Sequence, residues 1–246
     1  MPELAGRVAL VTGAAGPMGL AAARALGDAG CAVALVDLAG ERLDRAAASC
    51  ANAHAFAADL AQLDALPALV QAVAGALGDV DILVNNAGVL SNAKSQATNA
   101  TEWHRVLAIN LDAAFFLARA AIPAMQQRRW GRIINTTSLA AKTGGLTAGT
   151  AYAVSKGALS ALTFSLAREL ARDGITVNGI APAYVRTPMV TEQLTEAQRQ
   201  ALLAAIPIGR FCEPEEFGHA VRFLAAPLAG FITGEILDLN GGLQMD

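Results

Sequence analysis

Tyr152 and Lys156 are the residues whose types and spacing most directly suggest chemistry. They stand four positions apart at the start of a predicted helix, so their side chains project from one face. A lysine ammonium beside a phenol favours the phenolate, and we expect it to lower the pKa of Tyr152 from about 10 toward neutrality. Tyr152 would then act as an acid or a base. Ser138 ends a predicted strand upstream and could donate a hydrogen bond to a substrate oxygen there.

A glycine-rich segment near the start of the chain, TGAAGPMG at 12–19, is typical of a phosphate-binding loop. Its glycines Gly13, Gly16 and Gly19 follow a predicted strand and lead into the helical pattern LAAARAL, an arrangement that binds pyrophosphate. Pro17 stands where the closest such pattern has a glycine. It suits the first helical position, because the N–H that proline lacks has no intrahelical partner there. We therefore predict a dinucleotide site that has lost one possible N–H donor.

Asp37 ends the second predicted strand, a little over twenty residues beyond this loop. An acidic side chain at that point can accept hydrogen bonds from both ribose hydroxyls of an adenosine. Leu38 follows it, and neither 13–19 nor 38–39 contains an arginine or lysine that could bind a 2′-phosphate. The carboxylate would also repel such a phosphate. These residues favour NAD over NADP as the cofactor.

The rest of the chain alternates apolar, β-branched segments with alanine-rich amphipathic ones. This pattern predicts one α/β domain over residues 1–246, a doubly wound (Rossmann-type), mostly parallel seven-stranded sheet flanked by helices. The carboxyl ends of parallel strands share one sheet edge, so the glycine loop, Asp37, Ser138 and Tyr152 should meet there. Residues 184–210 have no clear place in the sheet and are expected to form a substrate lid. Strands are predicted at 7–12, 31–37, 54–59, 80–86, 131–138, 174–182 and 234–240, and helices at about 16–29, 40–52, 61–77, 101–127, 152–171 and 213–226.

Composition and charge argue against several other classes of protein. The net charge is -3 and no Lys/Arg block occurs, which argues against nucleic-acid binding. No uninterrupted apolar run reaches a membrane span and the first residues do not form a signal peptide, so we expect a cytoplasmic protein with no membrane partner. The scattered His54, His104 and His219 and the three separate cysteines give no metal-ligand spacing.

Together these residues resemble the short-chain dehydrogenase/reductase family over essentially the whole chain. The order and spacing of several short motifs carry the resemblance. They are TGAAGPMG, Asp37, AADL with Asp59, NNAG at 85–88, Asn110 in VLAINLDAAFF, Ser138, YAVSK at 152–156, VNGIAPA ending at Ala183, RTPM at 186–189, and ITGEILDLNGG.

The resemblance implies the reversible, NAD-dependent oxidation of a secondary alcohol to a ketone, without a metal. It implies a catalytic tetrad of Asn110, Ser138, Tyr152 and Lys156, in which Lys156 binds the nicotinamide ribose and Asn110 organises a water-mediated proton path. Asp59 would contact the adenine, and Val185 with Thr187 the nicotinamide carboxamide. The implied cofactor contacts are Gly13, Gly16, Pro17, Met18, Gly19, Asp37, Leu38, Asp59, Leu60, Asn86, Ala87, Gly88, Tyr152, Lys156, Pro182, Val185 and Thr187.

The substrate is a small molecule whose identity the sequence leaves open. A mainly apolar or mildly polar hydroxy compound fits the expected pocket, but a sugar-derived alcohol or hydroxy acid stays open if Lys142, Arg186 or Asn92 turns inward. The resemblance also implies a homotetramer assembled through the helices near 101–127 and 152–171 and the C-terminal strand. The residues expected at the substrate are Asn92, Ser138, Ala140, Lys142, Leu146, Tyr184 and Met189.

Three departures from the family pattern concern the cofactor and substrate sides of the site. Pro17 replaces the middle glycine of the loop and Ala183 replaces a glycine, so we expect both to affect NAD affinity more than cofactor identity. The segment between Ser138 and Tyr152 is one residue longer than the commonest spacing, which should reshape the substrate pocket. Two alternatives stay open: an NADPH-dependent 3-oxoacyl-thioester reductase and a non-catalytic NAD-binding scaffold.

Overall fold

A seven-stranded sheet forms the centre of the computed structural model, which describes residues 2–187 and 195–245, except for the side chain of Gln198. The strand order is β3-β2-β1-β4-β5-β6-β7, and each pairing is parallel. The predicted doubly wound fold is confirmed, with a wholly parallel sheet in the described residues. The strands are β1 Val8–Thr12, β2 Ala32–Asp37, β3 Ala53–Ala57, β4 Ile82–Asn85, β5 Gly131–Thr136, β6 Ile175–Pro182 and β7 Ile236–Leu239.

Helices cover both faces of this sheet. Leu26 and Phe217 belong to the apolar core on one face, and Val73, Leu117 and Leu166 to the core on the other. Because both faces are buried, the central strands are buried along their whole length and do not alternate between buried and exposed residues. The helices are α1 Pro17–Asp28, α2 Glu41–Ala48, α3 Leu66–Leu77, α4 Ala100–Leu107, α5 Ala113–Arg128, α6 Ala140–Thr143, α7 Thr150–Leu170, α8 Glu196–Ala205 and α9 Pro214–Ala225.

The single helix predicted at 101–127 is interrupted by one π-helical turn, Ala108–Asp112, between α4 and α5. An 18-residue window within Ala100–Arg128 has a mean hydropathy of 1.5, so by length and composition this stretch could span a membrane. Its residues Leu117 and Ala118 instead pack in the core against the sheet. The stretch is therefore a core helix of this fold.

Two short helices lie on the side of the sheet where the strands end, and neither was predicted. The four-residue α6 begins two residues after Ser138, and α8 lies inside the segment expected to form a lid. Residues 188–194, which belong to the predicted lid segment 184–210, lie outside the described residues.

Candidate active site

The glycine loop follows β1 and leads into α1 as predicted. Gly16 is the extended N-cap residue and Pro17 is the first residue of the helix, which confirms its predicted position. Gly13 has a φ of +64°, and a Cβ on it would lie 2.9 Å from Ala87 Cα. A Cβ on Gly19 would collide with the Gly13 carbonyl. Packing within the chain therefore requires glycine at positions 13 and 19.

Gly16 is different, because among the described residues a Cβ there would meet only the Gly13 carbonyl oxygen, at 3.4 Å. The space in front of the loop is therefore open at this residue. The loop amides at the start of α1 and the positive end of that helix face a space that a phosphate group could fill. Met18, the other residue of the loop implied to contact a cofactor, is partly buried and packs against the core.

The NNAG segment after β4 supports the glycine loop from the side. The Asn86 side-chain amide donates to the Thr12 carbonyl at 2.9 Å and to the Gly13 carbonyl at 3.3 Å. The backbone amides of Asn86 and Ala87 both donate to Thr12 Oγ1, each at 3.0 Å. Asn86, which the resemblance implies as a cofactor contact, therefore uses its side chain to hold the loop.

Asp37 lies beside the same loop, at the end of β2. Its Oδ2 accepts a hydrogen bond from the Ala15 amide at 2.9 Å, and its Oδ1 accepts one from the Leu38 amide at 2.8 Å. Leu38 is 63% exposed. Asp59 lies just beyond β3, is exposed, and accepts a hydrogen bond from the Ala61 amide, while Leu60 is buried. The carboxylate of Asp37 is thus fixed next to the loop.

Ser138, Tyr152 and Lys156 meet where β5 ends and α7 begins. The Ser138 hydroxyl shares a hydrogen bond with the Tyr152 phenol. The Lys156 ammonium lies 5.8 Å from the centre of the Tyr152 ring and donates to the Thr136 carbonyl at 2.7 Å. The ideal Cβ position of Gly88 is 3.3 Å from Lys156 Nζ, so the NNAG segment passes close to this ammonium.

The pKa values in this cluster are set mainly by burial. Burial raises the pKa of Tyr152, and the Ser138 hydrogen bond offsets part of that rise. This direction is opposite to the expected lowering by Lys156. Burial also lowers the pKa of Lys156 to about 8, because desolvation penalises an ammonium that is only 3% exposed. Without a bound cofactor, the Tyr152 phenol therefore keeps its proton at neutral pH.

Asn110 lies on the π-helical turn and is 1% exposed. Its Oδ1 accepts a hydrogen bond from the Val89 amide at 2.8 Å, and its Nδ2 donates to the Val89 carbonyl at 3.1 Å and to Ser155 Oγ at 3.0 Å. Ser155 in turn donates to the Tyr152 carbonyl at 2.7 Å. The Asn110 side chain therefore joins the segment after Gly88 to the start of α7.

The residues expected on the nicotinamide side follow from the end of β6. The Pro182 carbonyl accepts a hydrogen bond from the Leu139 amide at 3.1 Å, which ties it to the segment after Ser138. Val185 is buried and pairs with Cys212 in an isolated bridge. Ala183 lines a small cavity of about 120 Å³ together with Tyr184. Thr187 is the last described residue before the gap.

The expected substrate residues are only partly gathered. Ala140 is buried beside Ser138, and its amide donates to Ser138 Oγ at 3.1 Å. Asn92 is exposed and Leu146 is 74% exposed, so Leu146 lies on the surface. Lys142 forms an ion pair with Asp238, and Tyr184 packs on Ile206 and Phe211. Met189 lies outside the described residues.

Three residues with a place in this arrangement were not singled out from the sequence: Thr12, Ser155 and Lys94. Thr12 and Ser155 act through buried hydroxyls that hold other parts of the site. A hydroxyl directly before Gly13 or Lys156 was the available signal. Lys94 donates to backbone carbonyls of a distant loop, for which the sequence holds no local signal.

The chain is similar to known proteins over nearly its whole length. The family model described as enoyl-(acyl carrier protein) reductase matches residues 13–244. The chain is 38% identical over 250 residues to the 3-oxoacyl-[acyl-carrier-protein] reductase FabG of Vibrio cholerae serotype O1, and the match covers 99% of each chain.

Two solved structures share the fold over nearly their full length. A candidate short-chain alcohol dehydrogenase from Sinorhizobium meliloti 1021 matches with a TM-score of 0.92 and 36% identity, covering 98% of this chain and 97% of the other. A candidate NAD(P)-dependent gluconate 5-dehydrogenase from Beutenbergia cavernae, with NADP bound at low occupancy, matches with a TM-score of 0.90 and 37% identity, covering 99% of each chain. This chain belongs to the short-chain dehydrogenase/reductase family and is an oxidoreductase that acts on CH–OH groups.

Proposed function

We propose that this protein interconverts a secondary alcohol and a ketone with NAD as its cofactor, using Tyr152 as the general acid or base. The observation that carries the proposal is the contact of Tyr152 with Ser138 and Lys156 beneath Gly88, at the same sheet edge as the glycine loop. A proton-transfer group and a phosphate cradle at one edge are the two parts that hydride transfer to a dinucleotide requires.

The residues present fit a dinucleotide. The open space at Gly16 would take the pyrophosphate, and the Asp37 carboxylate would accept the ribose hydroxyls on the adenosine side. Lys156 would bind the nicotinamide ribose, and Val185 with Thr187 would hold the carboxamide, as the resemblance implies. A nicotinamide dinucleotide bound there would supply the hydride acceptor or donor.

The proton chemistry then falls to Tyr152. In oxidation, its phenolate takes the hydroxyl proton of the substrate, while Ser138 donates a hydrogen bond to the developing carbonyl oxygen. Because burial raises the pKa of Tyr152, the phenolate is scarce at neutral pH and oxidation should accelerate as the pH rises. In reduction, the same raised pKa keeps the phenol ready to donate. The Lys156 ammonium favours the phenolate at pH values below its own pKa of about 8.

Asn110 has a positioning role in this proposal. Its amide group makes three hydrogen bonds, to both backbone groups of Val89 and to Ser155. It therefore fixes Gly88 above Lys156 and fixes the first turn of α7. The proton path to solvent that the resemblance implies would start at Lys156, with Asn110 holding its surroundings.

Asp37 is the residue that favours NAD over NADP. The carboxylate is held beside the loop by two backbone amides, where a 2′-phosphate would meet it. Near this position, residues 13–19 and 38–39 carry no arginine or lysine. Repulsion without a compensating cation disfavours NADP.

A second candidate function is an NADPH-dependent reductase of 3-oxoacyl thioesters. It is favoured by the similarity to the Vibrio cholerae reductase and by the NADP bound in the Beutenbergia cavernae structure. A screen of secondary alcohols, polyols and hydroxy acids with NAD and NADP in parallel, and of 3-oxoacyl thioesters with NADH and NADPH, separates the two. Oxidation of alcohols with NAD at higher kcat/KM supports our proposal. Thioester reduction with NADPH alone would contradict it, and binding without turnover would favour the scaffold alternative.

The resemblance further leads us to propose a cytoplasmic homotetramer with a lid over 184–210. Phe115 on α5 and Phe164 on α7 are exposed and available for subunit contacts, whereas Leu159 is buried within its own chain and Leu162 packs partly on its core. Light scattering at micromolar concentration should give the mass of four chains. A monomer would contradict the proposed assembly.

A further inference from the structure

The substrate side of the site contains basic residues that could attract an anionic substrate. Lys94 follows the NNAG segment, Lys142 follows Ser138, and Arg186 follows β6. Arg210 lines the small cavity beside Tyr184. Whether any of these cations can bind a substrate anion depends on what each one already contacts.

Lys142 forms an ion pair with a residue of the edge strand β7. Its Nζ lies 2.6 Å from Asp238 Oδ2 on β7, two strands away from the end of β5, and the two side chains are 29% and 19% exposed. The pair is partly exposed to water, and separating it would leave the Asp238 carboxylate without its cation. Lys142 is held by a carboxylate of its own chain.

Lys94 holds the loop that leads to Tyr152. Its Nζ donates to the Gly145 carbonyl at 3.0 Å and to the Ala148 carbonyl at 2.6 Å. The Gly149 amide donates to the Ser91 carbonyl at 2.7 Å, which strengthens the same connection. The ammonium thus serves as a support for this loop.

The arginines are paired as well. Arg186 Nε lies 2.8 Å from Glu213 Oε1, and Arg210 forms two hydrogen bonds with Glu216, at 2.6 and 2.7 Å. Residues 188–194 contain no lysine or arginine. Each of these basic side chains is therefore engaged by other groups of the same chain.

We propose that the substrate is electrically neutral around its carbinol or ketone, so that neutral alcohols, esters and amides are accepted and carboxylates are not. A carboxylate bound near Tyr152 would lose water, which is costly, and the Lys156 ammonium there already donates to the Thr136 carbonyl and would bind the nicotinamide ribose. This inference rests on the proposed alcohol oxidation and separates the chain from a substrate such as gluconate, named for the Beutenbergia cavernae relative. Lys94 and Lys142 are positioning residues for the substrate side.

The direct test compares isosteric pairs that differ only in charge. Wild-type protein would be assayed with 3-hydroxybutanamide and 3-hydroxybutanoate, and with gluconamide and gluconate, at one ionic strength. A missing charge partner is worth about tenfold or more, so kcat/KM should be at least that much higher for the amide of any pair that reacts. Turnover of neutral alcohols alone also supports the inference, and equal or better use of a carboxylate overturns it. If the protein oxidises none of these compounds, the proposed function itself is contradicted.

Variants of the ion pair test the structural reason. Asp238→Asn keeps the shape of the side chain and removes the negative charge that pairs with Lys142, so use of the carboxylate relative to the amide should rise about three- to tenfold. Adding Lys142→Met should remove that gain. Glu3→Gln is the matched control, because it breaks the Arg222–Glu3 pair at the N-terminus and should leave the ratio unchanged.

Thermal unfolding establishes that each variant is folded. An unchanged ratio in folded Asp238→Asn would overturn the role of the pair. Lys142→Met alone keeps the inference testable if Asp238→Asn does not fold. Its ratio should equal that of wild type, whereas about a tenfold further loss of carboxylate use would mean that Lys142 binds the substrate anion.

Discussion

Replacing Asp37 by serine tests how the cofactor is chosen. In the folded chain the carboxylate accepts hydrogen bonds from the Ala15 amide at 2.9 Å and from the Leu38 amide at 2.8 Å, so it is already oriented toward the glycine loop. Each charged hydrogen bond from a ribose hydroxyl would add about 1.5–3 kcal/mol. Water replaces part of this, so kcat/KM for NAD should fall about ten- to a hundredfold, or roughly 1.4–2.8 kcal/mol.

NADP should gain from the same change, because the carboxylate no longer repels the 2′-phosphate. Leu38 is exposed beside it, so adding Leu38→Arg supplies a planar cation that can bind the phosphate through two hydrogen bonds. The double variant should prefer NADP. The assay is kcat/KM with both cofactors at fixed ionic strength, since exposed charge contacts weaken with salt.

The matched control for Asp37→Ser is Asp28→Asn. Asp28 is an exposed carboxylate at the far end of α1 from the glycine loop, so its removal changes the net charge alone. It should leave both kcat/KM values within about twofold of wild type. A wild-type enzyme that already prefers NADP, or a double variant that keeps the NAD preference, would refute the assigned role of Asp37.

Three further predictions concern the glycine loop and Lys156. Gly16→Ala should unfold at the wild-type temperature but lose about tenfold or more in cofactor affinity. Gly19→Ala should instead lower Tm, because its Cβ collides with the Gly13 carbonyl. The reverse pattern would contradict the roles assigned to these two glycines. Pro17→Gly should change NAD affinity by less than roughly tenfold in a titration, because a gained N–H donor opposes a looser helix start. Because the pKa of Lys156 falls to about 8 on folding, the unfolded chain binds more protons between about pH 8 and 10.5, and wild-type stability relative to Lys156→Met should rise across that window in chemical denaturation. A difference that stays flat or falls would contradict the buried ammonium.

The fold could be predicted from the sequence because a parallel sheet covered on both faces leaves an unmistakable pattern. The central strands Ile82–Asn85 and Gly131–Thr136 are buried throughout, and the consecutive apolar residues within them, ILV and II, do not alternate with polar ones. Glycines and Pro17 mark the boundary between β1 and α1. The π-helical turn at Ala108–Asp112 leaves no such pattern, because its residues continue the helical periodicity on either side.

The candidate site was predictable where its parts are close in sequence. Tyr152 and Lys156 share one helix face, and Ser138 and Asp37 mark strand ends at one sheet edge. What depends on contacts across the fold was not predictable. Burial reverses the expected direction of the Tyr152 pKa shift, and Lys142 finds its partner 96 residues away.

The most direct test of the central claim is the activity of Tyr152→Phe with whichever cofactor and alcohol the wild-type protein uses best. General acid–base catalysis contributes about a hundred- to ten-thousandfold, so kcat should fall by at least a hundredfold. Removal of one hydroxyl leaves the glycine loop, Asp37 and Lys156 intact, so the cofactor Kd from a calorimetric titration should stay within about threefold of wild type. A variant that retains more than roughly a tenth of the wild-type kcat would contradict the role of Tyr152 and with it the proposed mechanism.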